Sequence, residues 1–216
     1  MFIGHFGVGL GAKKVAPQIS LGTLFIAAQF VDLLWPLLLL LGWESVLVEP
    51  GNTVMTPLNF VNYPISHSLL SGLLWGGVTG GIYYLLRKDR PGALWLGALV
   101  LSHWILDFLT HRPDLPLYPG GMKVGLGLWN SMSGTLLLEG GIFVLGVYFY
   151  LKATRAKDKI GVYAFWGLIA FLVVVHAGNV FGPPPPADSN AIALAGFAQW
   201  LLVGWGYWVD RHRERR

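Results

Sequence analysis

The sequence contains no cysteine, which excludes disulfides and thiolate ligands, so any metal must be held by imidazole and oxygen. Charge is also scarce. Only 12% of the 216 residues are charged, against about 25% in soluble domains, while 54% are hydrophobic. That deficit excludes an ordinary soluble globule and points to a membrane protein. The chain shows no internal repeat, which counts against an alternating-access carrier built from inverted halves. No basic stretch precedes the first apolar run, so no secretory leader is expected. The length leaves room for a single membrane domain and no second one.

What remains is a series of apolar runs near the ~20 residues needed to span a bilayer. They predict an all-α polytopic bundle over residues 21–209 with six helices: Leu21–Leu41, His67–Leu86, Pro91–His111, Gly134–Leu151, Gly161–Phe181 and Asn190–Val209. Residues 1–19 are expected either to lie in the interface or to dip back as a half-helix, since Met1–Ala12 is too short to span. Pro36 is expected to kink the first helix. Gly72, Gly76 and Gly80, with the parallel pair Gly77 and Gly81, give the second helix a seam for close packing. Pro183–Pro186 must form an extended outer loop.

Thirteen of the fifteen Lys and Arg residues fall on one side of these helices; only Arg112 and Lys123 fall on the other. The positive-inside rule makes the crowded side cytoplasmic, with both termini there. The net charge of +4 is thus explained by topology, including the basic tail 210–216, and nucleic acid is not an expected partner. Membrane lipids are.

The polar residues inside the apolar runs are not scattered. His103, Asp107 and His111 recur at four-residue spacing along one face of the third helix. At ~1.5 Å per residue, His103 stands ~18 Å above the cytoplasmic boundary and Asp107 ~24 Å. Asp32 in the first helix is level with His103, and His67, Glu139, His176 and Gln199 fall in the same outer half. A carboxylate near the bilayer centre costs at least ~2.5–3.5 kcal/mol, so it pairs or faces a cavity. A His-xxx-Asp pair on a helix suits zinc, iron or manganese. The same pair also reads as a structural contact with no metal. His176 reads as a packing residue, His212 as part of the solvated tail, and Glu139 as an outer partner of the ligands or an interfacial acid. His111, Arg112 and Asp114 read equally as a solvated helix end or as part of the site.

Assembled, these residues make the chain resemble the bacterial membrane-bound metal-dependent hydrolases, the YdjM-like family, and more distantly the zinc-dependent phospholipases C. The similar pieces are His5 in IGHFGVGL, Asp32 in AAQFVDLLWP, His67 in PISHSLL, and His103 and Asp107 in SHWILDFLTHRPDLPLYPGG. They cover roughly the first 120 residues. The resemblance implies that His5, Asp32, His67, His103 and Asp107 are metal ligands. It also implies an inner-membrane location. Where the family often carries paired acids this chain has only Asp32, and Tyr63-Pro64-Ile65-Ser66 replaces a basic residue before the His-Ser motif; one carboxylate fewer counts against a second ion.

The expected function is hydrolysis of a lipid-like ester or phosphoester by water activated on a divalent metal, zinc first and iron or manganese as alternatives. Glu139 or a non-ligating Asp107 is the candidate general base. His111, Asp114, Asn130 and Ser131 are candidate substrate contacts, with the loop His111–Trp129 shaping an entrance. The alternatives are an ion or proton pathway through the same Asp and His residues, and a non-enzymatic protein in which they only join helices.

Overall fold

The computed structural model describes residues 1–216, and the chain is predominantly helical. Five helices are long and apolar enough to cross a membrane, and a sixth span is possible if one bent pair is counted as a single crossing. The chain begins with a helix that is not among these, α1 (Ile3–Gly11), short and buried. The bent pair follows, α2 (Leu21–Ala28) and α3 (Phe30–Leu40), then the one-turn α4 (Pro64–His67) and the long α5 (Leu69–Arg87) and α6 (Arg90–Thr110). The chain continues through α7 (Met132–Ala153), α8 (Lys159–Phe181), α9 (Ser189–Phe197) and α10 (Gln199–Arg211). The last two form one candidate span, Ser189–Arg211.

The N-terminal residues fold back as a short helix buried inside the bundle. Nine helical residues rise ~14 Å, about half the ~30 Å apolar thickness. Glycine makes the insertion possible: a Cβ on Gly7 would come within 2.7 Å of the Phe143 backbone, and one on Gly146 would overlap the Gly7 carbonyl. Phe6 and Leu10 are fully buried in the main core with Phe25, Phe165 and Leu168. Irregular backbone at this depth is tolerated because protein covers it.

The kink in the first span is displaced from its expected position. Pro36 sits inside α3, and the 58° bend falls at Gln29, between α2 and α3. Ala28 ends α2, and its carbonyl accepts from a side chain of α6 rather than serving a longer helix. The α5–α6 hairpin turns within two residues. Lys88 takes the left-handed conformation (φ 55°) that closes α5, and the Asp89 carboxylate caps α6 by accepting from Gly92 N–H at 3.0 Å. Along the seam, Cβ atoms on Gly76 and Gly80 would meet the Gly97 and Ala93 carbonyls at 2.8 and 2.7 Å. Gly77 and Gly81 face open space and take no part in that contact.

The basic end of the bundle is built rather than loose. Lys13 is buried against Asp210 (2.5 Å) and the Ile19 carbonyl, and the same Asp210 accepts from Leu21 N–H and the Tyr150 hydroxyl. The basic tail is mostly exposed, as expected, but it carries a short strand, β6 (Arg213–Arg215), whose Arg213 is buried over the Tyr150 and Phe165 rings, and His212 is bonded to Asp158 at 2.8 Å. The partner of β6 is β5 (Thr154–Ala156). At the other end, β1 (Ser45–Val48) and β2 (Leu58–Asn62) form a hairpin, and Leu115–Pro116 (β3) pairs with Lys123–Val124 (β4).

Candidate metal centre

Three elements converge at the end of the bundle that carries the β1–β2 hairpin. Helix α6 supplies His103 and Asp107 one turn apart, α3 supplies Asp32, and α4 supplies His67. His67 does not open the second span as the sequence suggested. Ser68 is extended (ψ 153°) and separates α4 from α5, which lets the short helix turn its histidine inward. His103 Nε2 lies 3.3 Å from Asp107 Oδ2 and 3.6 Å from Asp32 Oδ1; His67 Nε2 lies 3.2 Å from Asp32 Oδ1 and 3.9 Å from Asp107 Oδ2. His103 and Asp107 are each 1% exposed.

The outer nitrogens decide what the inner ones can offer. His103 Nδ1 is 2.8 Å from the Ala28 carbonyl, which can only accept, so the ring hydrogen is on Nδ1. Its Nε2 is buried with no hydrogen-bond partner. At His67, the Ser66 hydroxyl donates to Glu44 Oε2 at 2.6 Å and stands 2.6 Å from His67 Nδ1. The hydrogen in that second contact therefore belongs to Nδ1, and Nε2 again faces the carboxylates. A third ring follows the same rule. His111 Nδ1 is 2.9 Å from Asp114 Oδ1, while its Nε2 is 4.0 Å from Asp107 Oδ2.

Three imidazole nitrogens thus point at two carboxylates. Neutral rings so placed would turn lone pairs on negative oxygens, and a positive species must lie between them, a proton or a metal ion. A tetrahedral ion with bonds of ~2.0–2.2 Å has ligand–ligand edges of ~3.3–3.6 Å. The four separations above, 3.2 to 3.9 Å, are of that size. Two overlapping groups could hold a metal ion, Asp32 with His67 and His103, and His5 with His103 and Asp107. The anchored Nδ1–H groups are the outer contacts that orient such ligands.

Asp107 also looks the other way. Its Oδ1 is 3.1 Å from His5 Nε2 and 2.5 Å from the Met1 nitrogen, and the His5 ring stacks on His103 with centroids 3.5 Å apart. The half-helix is therefore what brings His5 to the cluster, in the grouping His5, His103 and Asp107. Glu139 on α7 is buried nearby, with Oε2 accepting from Phe2 N–H at 3.0 Å.

The remaining candidates divide. His111 and Asp114 are buried, so the solvated-end reading does not hold. Tyr63 donates to Asp114 at 3.0 Å and Arg112 Nε to its other oxygen at 3.1 Å. Burial alone would raise the Asp114 carboxyl, but these bonds and His111 hold it below the usual carboxylate range. Burial and the Asp114 charge push the Tyr63 hydroxyl up, so it stays a donor. Asn130 and Ser131 do not reach the site: both are exposed, and Ser131 caps α7 by accepting from Gly134 N–H. Glu44, Ser66 and Tyr63 were missed. Glu44 lies in an irregular segment without periodicity; Ser66 and Tyr63 flank His67 in YPISH, and adjacency is the only signal available.

Asp32, His67, Asp107, His111 and Glu139 line a cavity of about 560 Å³. Its walls include Trp35, Phe60 and Trp129, the turn after β1, and Pro183–Pro185 of the loop between α8 and α9; His176 and Gln199 also face it. No lysine or arginine lines it. A lone serine, histidine and glutamate do not make a nucleophilic triad here, because Ser66 is fully buried and sits between the other two instead of at one end. No protein-family model matches the chain, and comparison with curated proteins and with solved structures finds no match.

Proposed function

We propose that this chain is a membrane-embedded metal-dependent hydrolase acting on a lipid-like ester or phosphoester. The observation that carries the reading is the shared wiring of His67, His103 and His111, each tied through Nδ1 so that Nε2 faces Asp32 or Asp107. Such a set fits zinc best, with iron or manganese as alternatives. When bound, the ion supplies Lewis acidity toward the ester or phosphoester oxygen and makes a water molecule easier to deprotonate.

The chain's own residues do the rest. Asp32, the most exposed of the four ligands, presents the open side of the set to the cavity. Glu139 keeps one oxygen fixed by Phe2 N–H, and its other oxygen is the proton acceptor offered by the opposite wall. Trp35, Phe60 and Trp129 exclude water from the apolar side. By the positive-inside rule the basic end is cytoplasmic, which places the cavity in the outer half of an inner membrane.

The test is metal analysis of detergent-purified protein followed by a screen of short-chain carboxylic and phosphoric esters. One zinc, iron or manganese per chain, with ester cleavage abolished by chelation and restored by the metal, supports the reading. A protein that binds no metal after reconstitution ends it.

A further inference from the structure

Glu44 and Ser66 are not ligands, yet their geometry is unusually specific. Glu44 is 3% exposed in the turn after α3, far in sequence from α4. Its Oε1 accepts from the N–H groups of Ile65 and Ser66 at 2.7 and 2.8 Å, and its Oε2 accepts from Ser66 Oγ at 2.6 Å. The backbone of α4 is pinned independently: Ser71 Oγ donates to the Pro64 carbonyl at 2.8 Å and Trp75 Nε1 to the Ile65 carbonyl at 2.9 Å. The third bond of Glu44, to the serine hydroxyl, is therefore not needed to hold the helix in place.

We infer that Glu44 and Ser66 form a directional relay that fixes the His67 tautomer, holding its hydrogen on Nδ1 so that Nε2 is free to bind the metal. Glu44 Oε2 accepts a hydrogen bond from the Ser66 hydroxyl; Ser66 Oγ, with its own hydrogen so committed, accepts one from His67 Nδ1–H. The other backbone acceptor near the serine, the Tyr63 carbonyl, is 3.4 Å away and competes poorly with Glu44 Oε2 at 2.6 Å. Glu44 is thus a positioning residue that acts through Ser66, and its role in catalysis rests on the metal-centre reading above.

The relay predicts an inverted order of severity. In Glu44→Gln the amide oxygen must stay on the two backbone N–H groups, which places the NH2 group against Ser66 Oγ. That group donates, so the serine hydrogen turns to His67 Nδ1 and the imidazole hydrogen moves to Nε2, the ligating position. Ser66→Ala removes the relay but imposes no tautomer. A merely structural role predicts the reverse, since glutamine is nearly isosteric with glutamate and the alanine leaves a void.

The experiment uses the full-length protein in detergent, with 15N-labelled histidine, and has two readouts. The metal-free protein is examined by NMR for the His67 tautomer, assigned by the signal lost in His67→Gln. Zinc affinity is then measured for wild type, Glu44→Gln and Ser66→Ala. The expected result is an Nδ1–H ring in wild type and an Nε2–H ring in Glu44→Gln. Zinc binding should weaken by ~10–100-fold in Glu44→Gln and by less in Ser66→Ala. An Nε2–H ring in wild type, an unchanged tautomer in Glu44→Gln, or a weaker zinc complex in Ser66→Ala than in Glu44→Gln would overturn the relay. Should the tautomer switch as expected while wild type binds no zinc, the relay is supported and the metal reading fails on its own.

Discussion

His103 Nε2 stands 3.3 Å from Asp107 Oδ2, while the same ring gives its Nδ1 hydrogen to the Ala28 carbonyl at 2.8 Å. The donor side of the imidazole is spent on backbone, and its lone pair faces the carboxylate. Asp107→Asn separates a metal contact from a packing contact, because the amide keeps the volume and can donate to Nε2. Both Asp107→Asn and His103→Ala are expected to weaken zinc binding by more than the ~10–100-fold typical of losing an outer partner. Elemental analysis of monodisperse protein checks this. Stoichiometric metal retained in both variants would leave His103 and Asp107 as a helix contact only.

Metal removal is expected to cost stability, since the ligands join α3, α4 and α6. At a free ion concentration about 100 times Kd, binding contributes about 2.7 kcal/mol. For a chain of this size that corresponds to roughly 5–10 °C in Tm. Thermal unfolding with and without chelator measures it, and zinc should restore the loss where magnesium, which prefers oxygen ligands, does not. A melt indifferent to chelator and zinc would contradict a metal that joins these helices.

How much of this was legible in the sequence depends on which force decided each feature. The spans were legible because lipid demands long apolar runs, and the His103–Asp107 pair because helical spacing fixes one face. His5 was recognisable as a candidate, but its reach was not: insertion depends on close approach of Gly7 and Gly146, and glycine spacing alone does not say which helix will be met. The bend at Gln29 was hidden for a similar reason. Pro36 offered an obvious local cause of kinking, whereas the observed bend accompanies a tertiary bond from His103 to Ala28. Glu44 was invisible because its partners lie twenty residues away across irregular chain.

Asp114 gives a pH dependence with a definite sign. Bonds from His111, Arg112 and Tyr63 outweigh burial and hold its carboxyl below the usual range. A depressed folded pKa means the stabilisation is fully present above the unfolded value, near ~3.9, and is lost as pH falls through the folded value. Asp114→Asn should therefore melt below wild type at pH 7, by an amount on the order of 1–3 kcal/mol for a hydrogen-bonded charge, and the gap should close on acidification below about pH 4. Melting curves of metal-free protein from pH 7 downward measure it. A gap that stays constant to the lowest pH would mean the Asp114 charge contributes nothing to the fold.

The half-helix can be evicted without touching any ligand. A side chain on Gly146 would occupy the space of the Gly7 carbonyl, whereas Gly141, on the same helix, faces open space. Gly146→Leu should push α1 away from α7 and withdraw His5 from Asp107, while Gly141→Leu should do neither. The natural absence of cysteine allows a clean readout. Ile3, 3% exposed in the core, is replaced by cysteine in each background and challenged with a maleimide. Labelling should be slow in the Ile3→Cys protein and in its Gly141→Leu form, and several-fold faster with Gly146→Leu. The last variant should still elute as a folded particle, because the long apolar helices α5–α8 and the α9–α10 span retain their own lengths. Equal labelling in all three would mean that α1 is held at this depth by contacts other than the one between Gly7 and Gly146.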